Sequence, residues 1–359
     1  MSAVIRPRVE VERKLAVVHG GFSESCNGEA LLDFSANINP YGPSPLVREA
    51  LHALPIDRHP EPRAMPLRQA LAAHVGATTN QVLVGNGSID LIYQLVVAFV
   101  RPHDRVLIVE PTFGEYAAAA TLMGADIVRY RAEEANGFAL DADQLLYLAQ
   151  QHRPRLIFLC NPNNPTGSYV SRALVERLLH TCPTTLTVLD ESYVRFVANA
   201  WSAKELLPVG NLLLLRSLTK DYALTGLRVG YAVGTASVIA ALERVQPPWS
   251  VNSFAQAGAL GALNDDDHLR RTITQLRQAQ GEFVHKLEEL KYTPLPSSVH
   301  FFLLPVPSAV TWTQQLRTRG ILVRDCSSFG LPTYVRIAPR QPHDNQRFVR
   351  TLAELGVVP

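Results

Sequence analysis

The sequence predicts an α/β protein: a large lobe with a seven-stranded, mostly parallel sheet flanked by helices, then a smaller α+β lobe. Three observations carry this expectation. Between about residues 80 and 235 short apolar runs recur, stretches with helical spacing separate them, and the runs are continuously hydrophobic rather than alternating. Continuous runs of this kind suit strands covered on both faces. In order they are QVLV (81–84), RVLIV (105–109), DIVRY (126–130), RLIFLC (155–160), LTVLD (186–190), NLLLLR (211–216) and VGYAV (229–233). The segments SIDLIYQLVVAFV (88–100) and EYAAAATLMG (115–124) have helical spacing and supply crossovers, the second closed by Gly124.

After Pro247 and Pro248 the pattern changes to one long amphipathic stretch from about Ser253 to Leu290, with Arg, Gln and Glu on its polar face. Strand-like FFLL (301–304), a helix near 311–319, ILVR (321–324), YVRIA (334–338) and a last helix near 344–355 follow. Three parts are expected: an arm over residues 1–45 draped on the small lobe and cleft, a large lobe over 46–250, and a small lobe over 251–359. The arm holds HGG and the turn-rich NINPYGPSP. There is no internal repeat and no low-complexity segment.

Composition narrows the function. The 359 residues are 47% hydrophobic and 18% charged, and no apolar run approaches the roughly 18–20 residues that a bilayer span needs. Lysine and arginine number 34 against 32 acidic residues, scattered to a net charge of +2, so there is no basic field to hold nucleic acid. The opening MSAVIRPRVEVERK has no apolar core segment, and a cytoplasmic protein is expected. Cys26, Cys160, Cys182 and Cys326 lie far apart, without ligand spacing, and the histidines form no HExxH. Neither a metal site nor a structural disulfide is expected. Cys160, at the end of an apolar run, reads as core filler.

Five loops carry the chemistry: GNGS (85–88), PTF (111–113), NPNNPTG (161–167), DESY (190–193) and SLTKDYALTGLRVGY (217–231). Each follows or brackets a strand end, and open α/β sheets bind ligands at the carboxyl ends of their strands. Gly85, Gly87 and Ser88 open a helix directly after a strand. They form either a phosphate cradle or a plain tight turn. Asp90 stands where a dinucleotide fingerprint needs a small third residue, which disfavours a nicotinamide dehydrogenase.

Ser217, Lys220 and Arg228 are the sharper signal. A hydroxyl and a guanidinium suit a phosphate, and cationic neighbours keep an adjacent lysine partly neutral, as a Schiff-base lysine must be. Asp190 ends the run LTVL and is either a buried carboxylate for a protonated ring nitrogen or a helix cap. Tyr193 and Asn164 suit a phenolic oxygen, and Phe113 suits a ring face.

These residues resemble the fold-type I pyridoxal-phosphate enzymes, in the class I/II aminotransferase group, over nearly the whole chain. The resemblance implies Lys220 as the cofactor lysine, Asp190 on the pyridine nitrogen, Asn164 and Tyr193 on the phenolic oxygen, and Phe113 stacked. It implies Ser88, Ile89, Ser217 and Arg228 as phosphate contacts, and Arg336 of YVRIAPR and Arg324 of ILVRDC as anion contacts for the substrate. It also implies a homodimer whose two subunits complete each site.

Within the group the chain is most similar to threonine-phosphate decarboxylases, with histidinol-phosphate aminotransferases next. The pieces are HGG (19–21), LLDFSANINPYG (31–42), LLRSLTK (214–220), PPWSVN (247–252) and ILVRDCSSFGL (321–331). They bring His19 and Asn37 forward as substrate contacts, His19 being otherwise a solvated loop residue. Trp249 and Asn252 line the cleft, or Trp249 packs between the lobes.

Three positions depart from the pattern. His59 replaces the tyrosine that reaches the partner's cofactor phosphate, Asp221 replaces an aromatic, and His300 replaces an asparagine. The favoured expectation is decarboxylation of O-phospho-L-threonine to (R)-1-aminopropan-2-ol phosphate, the alternative a histidinol-phosphate-type transamination. A non-catalytic cofactor-binding protein is the reading from another class. Arginines holding a carboxylate in plane favour removal of the Cα proton; arginines holding a phosphate free the carboxylate to leave.

Overall fold

The computed structural model describes residues 5–21, 31–52 and 54–356. Cys26 lies outside them. In chain order the strands are β1 (Leu32–Asp33), β2 (Val82–Gly85), β3 (Arg105–Glu110), β4 (Asp126–Arg131), β5 (Leu156–Cys160), β6 (Leu186–Asp190), β7 (Leu212–Ser217) and β8 (Gly230–Gly234). The small lobe adds β9 (Phe302–Pro305), β10 (Ile321–Leu322), β11 (Arg324–Asp325) and β12 (Tyr334–Ile337).

The seven expected strands form one sheet in the order β2-β8-β7-β6-β5-β3-β4. β5 and β6 are buried along their whole length, and alternate residues feed two cores. Leu107, Ile157, Leu189 and Leu214 enter one; Ile108, Phe158, Val188 and Leu215 enter the other. β2 and β4 are the two edges, and only β4 is polar: Asp126, Arg129 and Arg131 are exposed, which blunts that unpaired strand.

β8 alone runs against its neighbours. An antiparallel return needs no helical crossover, so the link from β7 to β8 is a loop with one short 3-10 turn, Thr225–Leu227. That loop carries Lys220 and Arg228.

The long stretch from Ser253 is two helices, not one. Ser253–Leu263 and Asp266–Glu289 are separated at Asn264 and Asp265, where the Asp265 carboxylate accepts from the His268 amide at 3.0 Å and caps the second helix. Ala255, Ala259 and Ala262 of the first helix share a core with Val47 and Leu71 of the large lobe. A Cβ on Gly261 would fall 2.7 Å from the Leu46 carbonyl, so only glycine allows this approach to the helix Pro45–His52. The small lobe has its own core of Phe283, Leu304, Trp312, Val335 and Phe348, joined by Phe34.

The segment from Leu31 ties the lobes together. β1 pairs in parallel with β10, and the Asn39 amide donates to the Lys220 carbonyl at 2.9 Å. Cys160, Cys182 and Cys326 are buried thiols, Cys160 within the sheet core. No described helix is long and apolar enough to cross a membrane.

Candidate active site

A cavity of about 450 Å³ opens where the five loops meet, between the sheet, the N-terminal segment and the small lobe. Ser88, Ile89, Phe113, Asn164, Asp190, Tyr193, Ser217, Lys220 and Arg228 line it from the large lobe, and His19, Asn37, Arg324 and Arg336 from the other two. Of the residues that the sequence placed at the site, His59, Trp249 and Asn252 are not among its lining.

One end of the cavity is an anion cradle. The helix Ser88–Phe99 begins after Gly87, whose φ of 81° and ψ of 161° belong to a region essentially reserved for glycine. A Cβ there would stand 2.7 Å from Arg228 Nη2, and one on Gly230 would stand 2.5 Å from the Ser88 amide. Two glycines therefore leave helix-start amides and a guanidinium around side-chain-free space, as an anion requires. Arg228 is held by donating from Nη1 to the Thr225 carbonyl at 3.2 Å. The Ser217 and Thr219 hydroxyls meet at 2.7 Å beside it; Thr219 also lines the cavity.

Asp190 is 4% exposed. Its Oδ2 accepts from the Tyr116 hydroxyl at 2.7 Å and its Oδ1 from the Ser192 amide at 2.9 Å. The bond to Ser192 is a local turn and not a helix cap, since the 3-10 turn that follows, Val194–Phe196, has Tyr193 as its N-cap; the carboxylate also lines the cavity. Burial raises its pKa, because it meets neutral donors and no ion-pair cation among the described residues. Tyr116 lies parallel to Phe158 at 4.8 Å, and Phe113 meets it edge-on at 5.7 Å. Lys220 has its pKa lowered to about 8, first by burial and then by the charges of Arg336 and Arg228.

The small lobe contributes two buried guanidiniums. Arg324 and Arg336 oppose each other across β11 and β12, 6% and 5% exposed, with no carboxylate partner among the described ion pairs. Arg336 donates from Nη2 to the Ser35 carbonyl at 2.6 Å and from Nη1 to Asn164 Oδ1; its Nε has no acceptor among the described residues. Arg324 donates from Nη2 to the Val18 carbonyl at 2.6 Å and to Ser328 Oγ at 2.8 Å, and lies over the Phe329 ring. Burial lowers both pKa values. Between the lobes, Asn37 Nδ2 donates to the Tyr193 hydroxyl at 3.4 Å, and burial raises that hydroxyl to about 12.

The three departures sit outside this lining. Asp221, beside Lys220, is buried, with its carboxyl raised by burial to about 7. His300 packs on Phe196 at 3.8 Å and is pushed down by burial to about 3, so it is neutral. His59 stacks on Trp249 at 4.8 Å. Trp249 is 47% exposed rather than packed between the lobes, and it does not line the cavity; its backbone takes a φ of 55° after the two prolines. Asn252 is a helix cap, accepting from the Ala255 amide at 2.8 Å, not a cleft residue.

The family model described as aminotransferase class I and II matches residues 29–352. The chain belongs to the class I and II aminotransferases. Histidinol-phosphate aminotransferase of Symbiobacterium thermophilum is 36% identical over 333 residues, 91% of each chain. That of Moorella thermoacetica is 31% identical over 98% of this chain and 89% of its own. Among solved structures, L-threonine-O-3-phosphate decarboxylase from Porphyromonas gingivalis is 30% identical, covering 90% of this chain and 99% of that one, with a TM-score of 0.79. Histidinol-phosphate aminotransferase from Sinorhizobium meliloti, solved with pyridoxal-5'-phosphate, shares the fold at a TM-score of 0.82 and 24% identity over 89% of each chain.

For this class I and II aminotransferase, sequence reasoning missed Tyr116 and Thr219. Tyr116 is the third residue after PTF, in an alanine-rich helix, the one polar-tipped aromatic there. That was its available signal.

Proposed function

We propose that the chain is a histidinol-phosphate-type aminotransferase acting on a phosphorylated amine. The cofactor is pyridoxal 5'-phosphate. The relatives described above favour this over the decarboxylation expected from the sequence. The observation that carries it is the pair of buried guanidiniums, Arg324 and Arg336, with no acidic partner, in one cavity with Lys220 and Asp190.

When bound, the cofactor supplies an aldehyde for an amine and a ring that withdraws electrons from the substrate's Cα. Lys220 would hold the aldehyde and Asp190 the ring nitrogen. Asn164 and Tyr193 would take the phenolic oxygen and Phe113 the ring face. Ser88, Ile89, Ser217 and Arg228 would take the phosphate. The lowered pKa of Lys220 brings its Nζ closer to the working pH, as suits a group that takes a proton from the substrate's Cα and returns it. Arg324 and Arg336 bind the phosphate of one substrate and the carboxylates of the other, since a guanidinium fits both. His19 and Asn37 complete the substrate side.

Supplying histidinol phosphate with 2-oxoglutarate should yield glutamate. No glutamate, with carbon dioxide released from O-phospho-L-threonine, would overturn this reading for the second one, decarboxylation. The 30% identity to the Porphyromonas gingivalis decarboxylase and the entry of His19 into the cavity favour that second reading.

The proposed assembly is a homodimer. Leu46 and Phe254 on two packed helices, with Ile56 and Trp249 near His59, are exposed apolar side chains that a partner would cover. His59 would then serve the partner's cofactor phosphate. Light scattering should give twice the chain mass, and a stable, fully active monomer would refute the assembly.

A further inference from the structure

Glu115 has no part in the proposed reaction, yet it is a buried carboxylate beside the cavity. Its side chain is 7% exposed, and it meets a histidine of the N-terminal arm: His19 Nε2 lies 2.9 Å from Oε1. Its other oxygen accepts from the Tyr93 hydroxyl at 2.7 Å. Tyr93 belongs to the helix Ser88–Phe99, whose first turn forms the anion cradle. Glu115 opens the next helix, Glu115–Leu122, where the helix dipole favours a carboxylate.

The arm is fastened on either side of this pair. Arg324 holds the Val18 carbonyl at 2.6 Å, and the Gly21 amide donates to Ser35 Oγ at 3.1 Å. His19 itself is half exposed, lines the cavity and lies tilted against Phe113 at 5.8 Å. A carboxylate that accepts from Nε2–H selects one tautomer and leaves Nδ1 for a ligand. It also stabilises the imidazolium that forms when the ring takes up a proton to meet an anion.

We propose that Glu115 is a positioning residue for substrate recognition: with Tyr93 behind it, it holds His19 at the cavity rim with Nδ1 directed to the phosphate of the substrate, which Arg324 binds from the small lobe. This rests on the phosphorylated-amine reading. Arm docking and phosphate recognition are then one event, because the residue that recognises the anion is the one that pins the arm.

The test is a double-mutant cycle on the holoenzyme with His19→Ala, Glu115→Gln and both together, assayed with histidinol phosphate and with O-phospho-L-threonine. Glu115→Gln keeps the side-chain shape and removes the charge; His19→Ala leaves the core untouched. Each single change should raise KM about tenfold with kcat within about twofold, and the double variant should be no worse than either. Additive effects, or a raised KM in His19→Ala alone, would overturn the proposal. Nitrogen shifts of selectively labelled His19 read the pair without substrate. They should report Nε2–H in the wild type and a mixture in Glu115→Gln; a tautomer indifferent to Glu115 also overturns it. A changed tautomer with neither phosphorylated amine turned over sinks the preceding reading instead.

Discussion

Substituting Gly87 by alanine isolates the anion cradle from the rest of the site. The backbone at φ 81° and ψ 161° costs a non-glycine residue about 1–3 kcal/mol. The new Cβ would also stand 2.7 Å from Arg228 Nη2, so the guanidinium must withdraw. Losing one charge-assisted contact to a phosphate costs about 1.5–3 kcal/mol, or about ten- to hundredfold in affinity. The strain is small beside a fold stability of about 5–15 kcal/mol, so the variant should remain folded. The assay is titration of the apoprotein with pyridoxal 5'-phosphate, followed by absorbance. Gly226→Ala is the control, because a Cβ there meets nothing within 4 Å. A dissociation constant for Gly87→Ala equal to that of the control would refute the cradle.

Two further outcomes follow from buried groups. Tyr116→Phe removes the 2.7 Å hydrogen bond to Asp190 and should lower stability by about 1–3 kcal/mol in urea melts; an unchanged midpoint would mean that Asp190 does not depend on it. Lys220 has a lowered pKa of about 8, so between pH 8 and its ordinary value the unfolded chain binds more protons than the native one, and this group makes apoprotein stability rise with pH. Asp221, raised to about 7, works the other way: the native chain holds the extra proton, and its contribution falls as pH rises from its ordinary carboxylate value to 7. Denaturant melts across pH 4–10 should show both slopes flattened, respectively, in Lys220→Met and Asp221→Asn; slopes unchanged by the substitutions would refute the assignments.

The large lobe was legible because parallel strands buried on both faces must be continuous apolar runs, and all seven runs are strands. Position in the sheet was not. Nothing local in VGYAV says that β8 runs backwards, since direction is fixed by its pairing with β2 and β7. The break at Asn264 and Asp265 did carry a local signal: a nearly all-apolar stretch gives way to Asn-Asp-Asp-Asp ahead of the amphipathic helix, and an aspartate there is a helix cap.

In the site, the cavity-lining residues of the large lobe were legible for one reason: each stands at or after a strand end, where the topology gathers ligand contacts. Tyr116 lacks that mark. Its role depends on β6 lying beside the helix that follows β3, a long-range fact that no spacing within EYAAAATL encodes. Trp249 is exposed although apolar surface argues for burial; the proposed partner face, and not the packing of the two lobes, is where that surface would be covered.

Arg324 and Arg336 add an energetic argument for an anion. Like charges directly opposite on antiparallel strands destabilise a sheet, and these two are buried without an acid. Their mutual repulsion lowers the Arg324 pKa further than burial alone. Such an arrangement is relieved by whatever anion enters between them, so the ligand should stabilise the fold by linkage. At a hundredfold excess over its dissociation constant, 2-oxoglutarate should add about 2.7 kcal/mol. In a chain of this size that is a thermal shift of a few degrees, readable by scanning fluorimetry. In Arg324→Gln the repulsion is gone and with it most of the affinity, so the shift should largely disappear while the ligand-free midpoint moves little. A shift of full size in that variant would mean that the anion binds elsewhere and that the opposed arginines serve the packing of the small lobe.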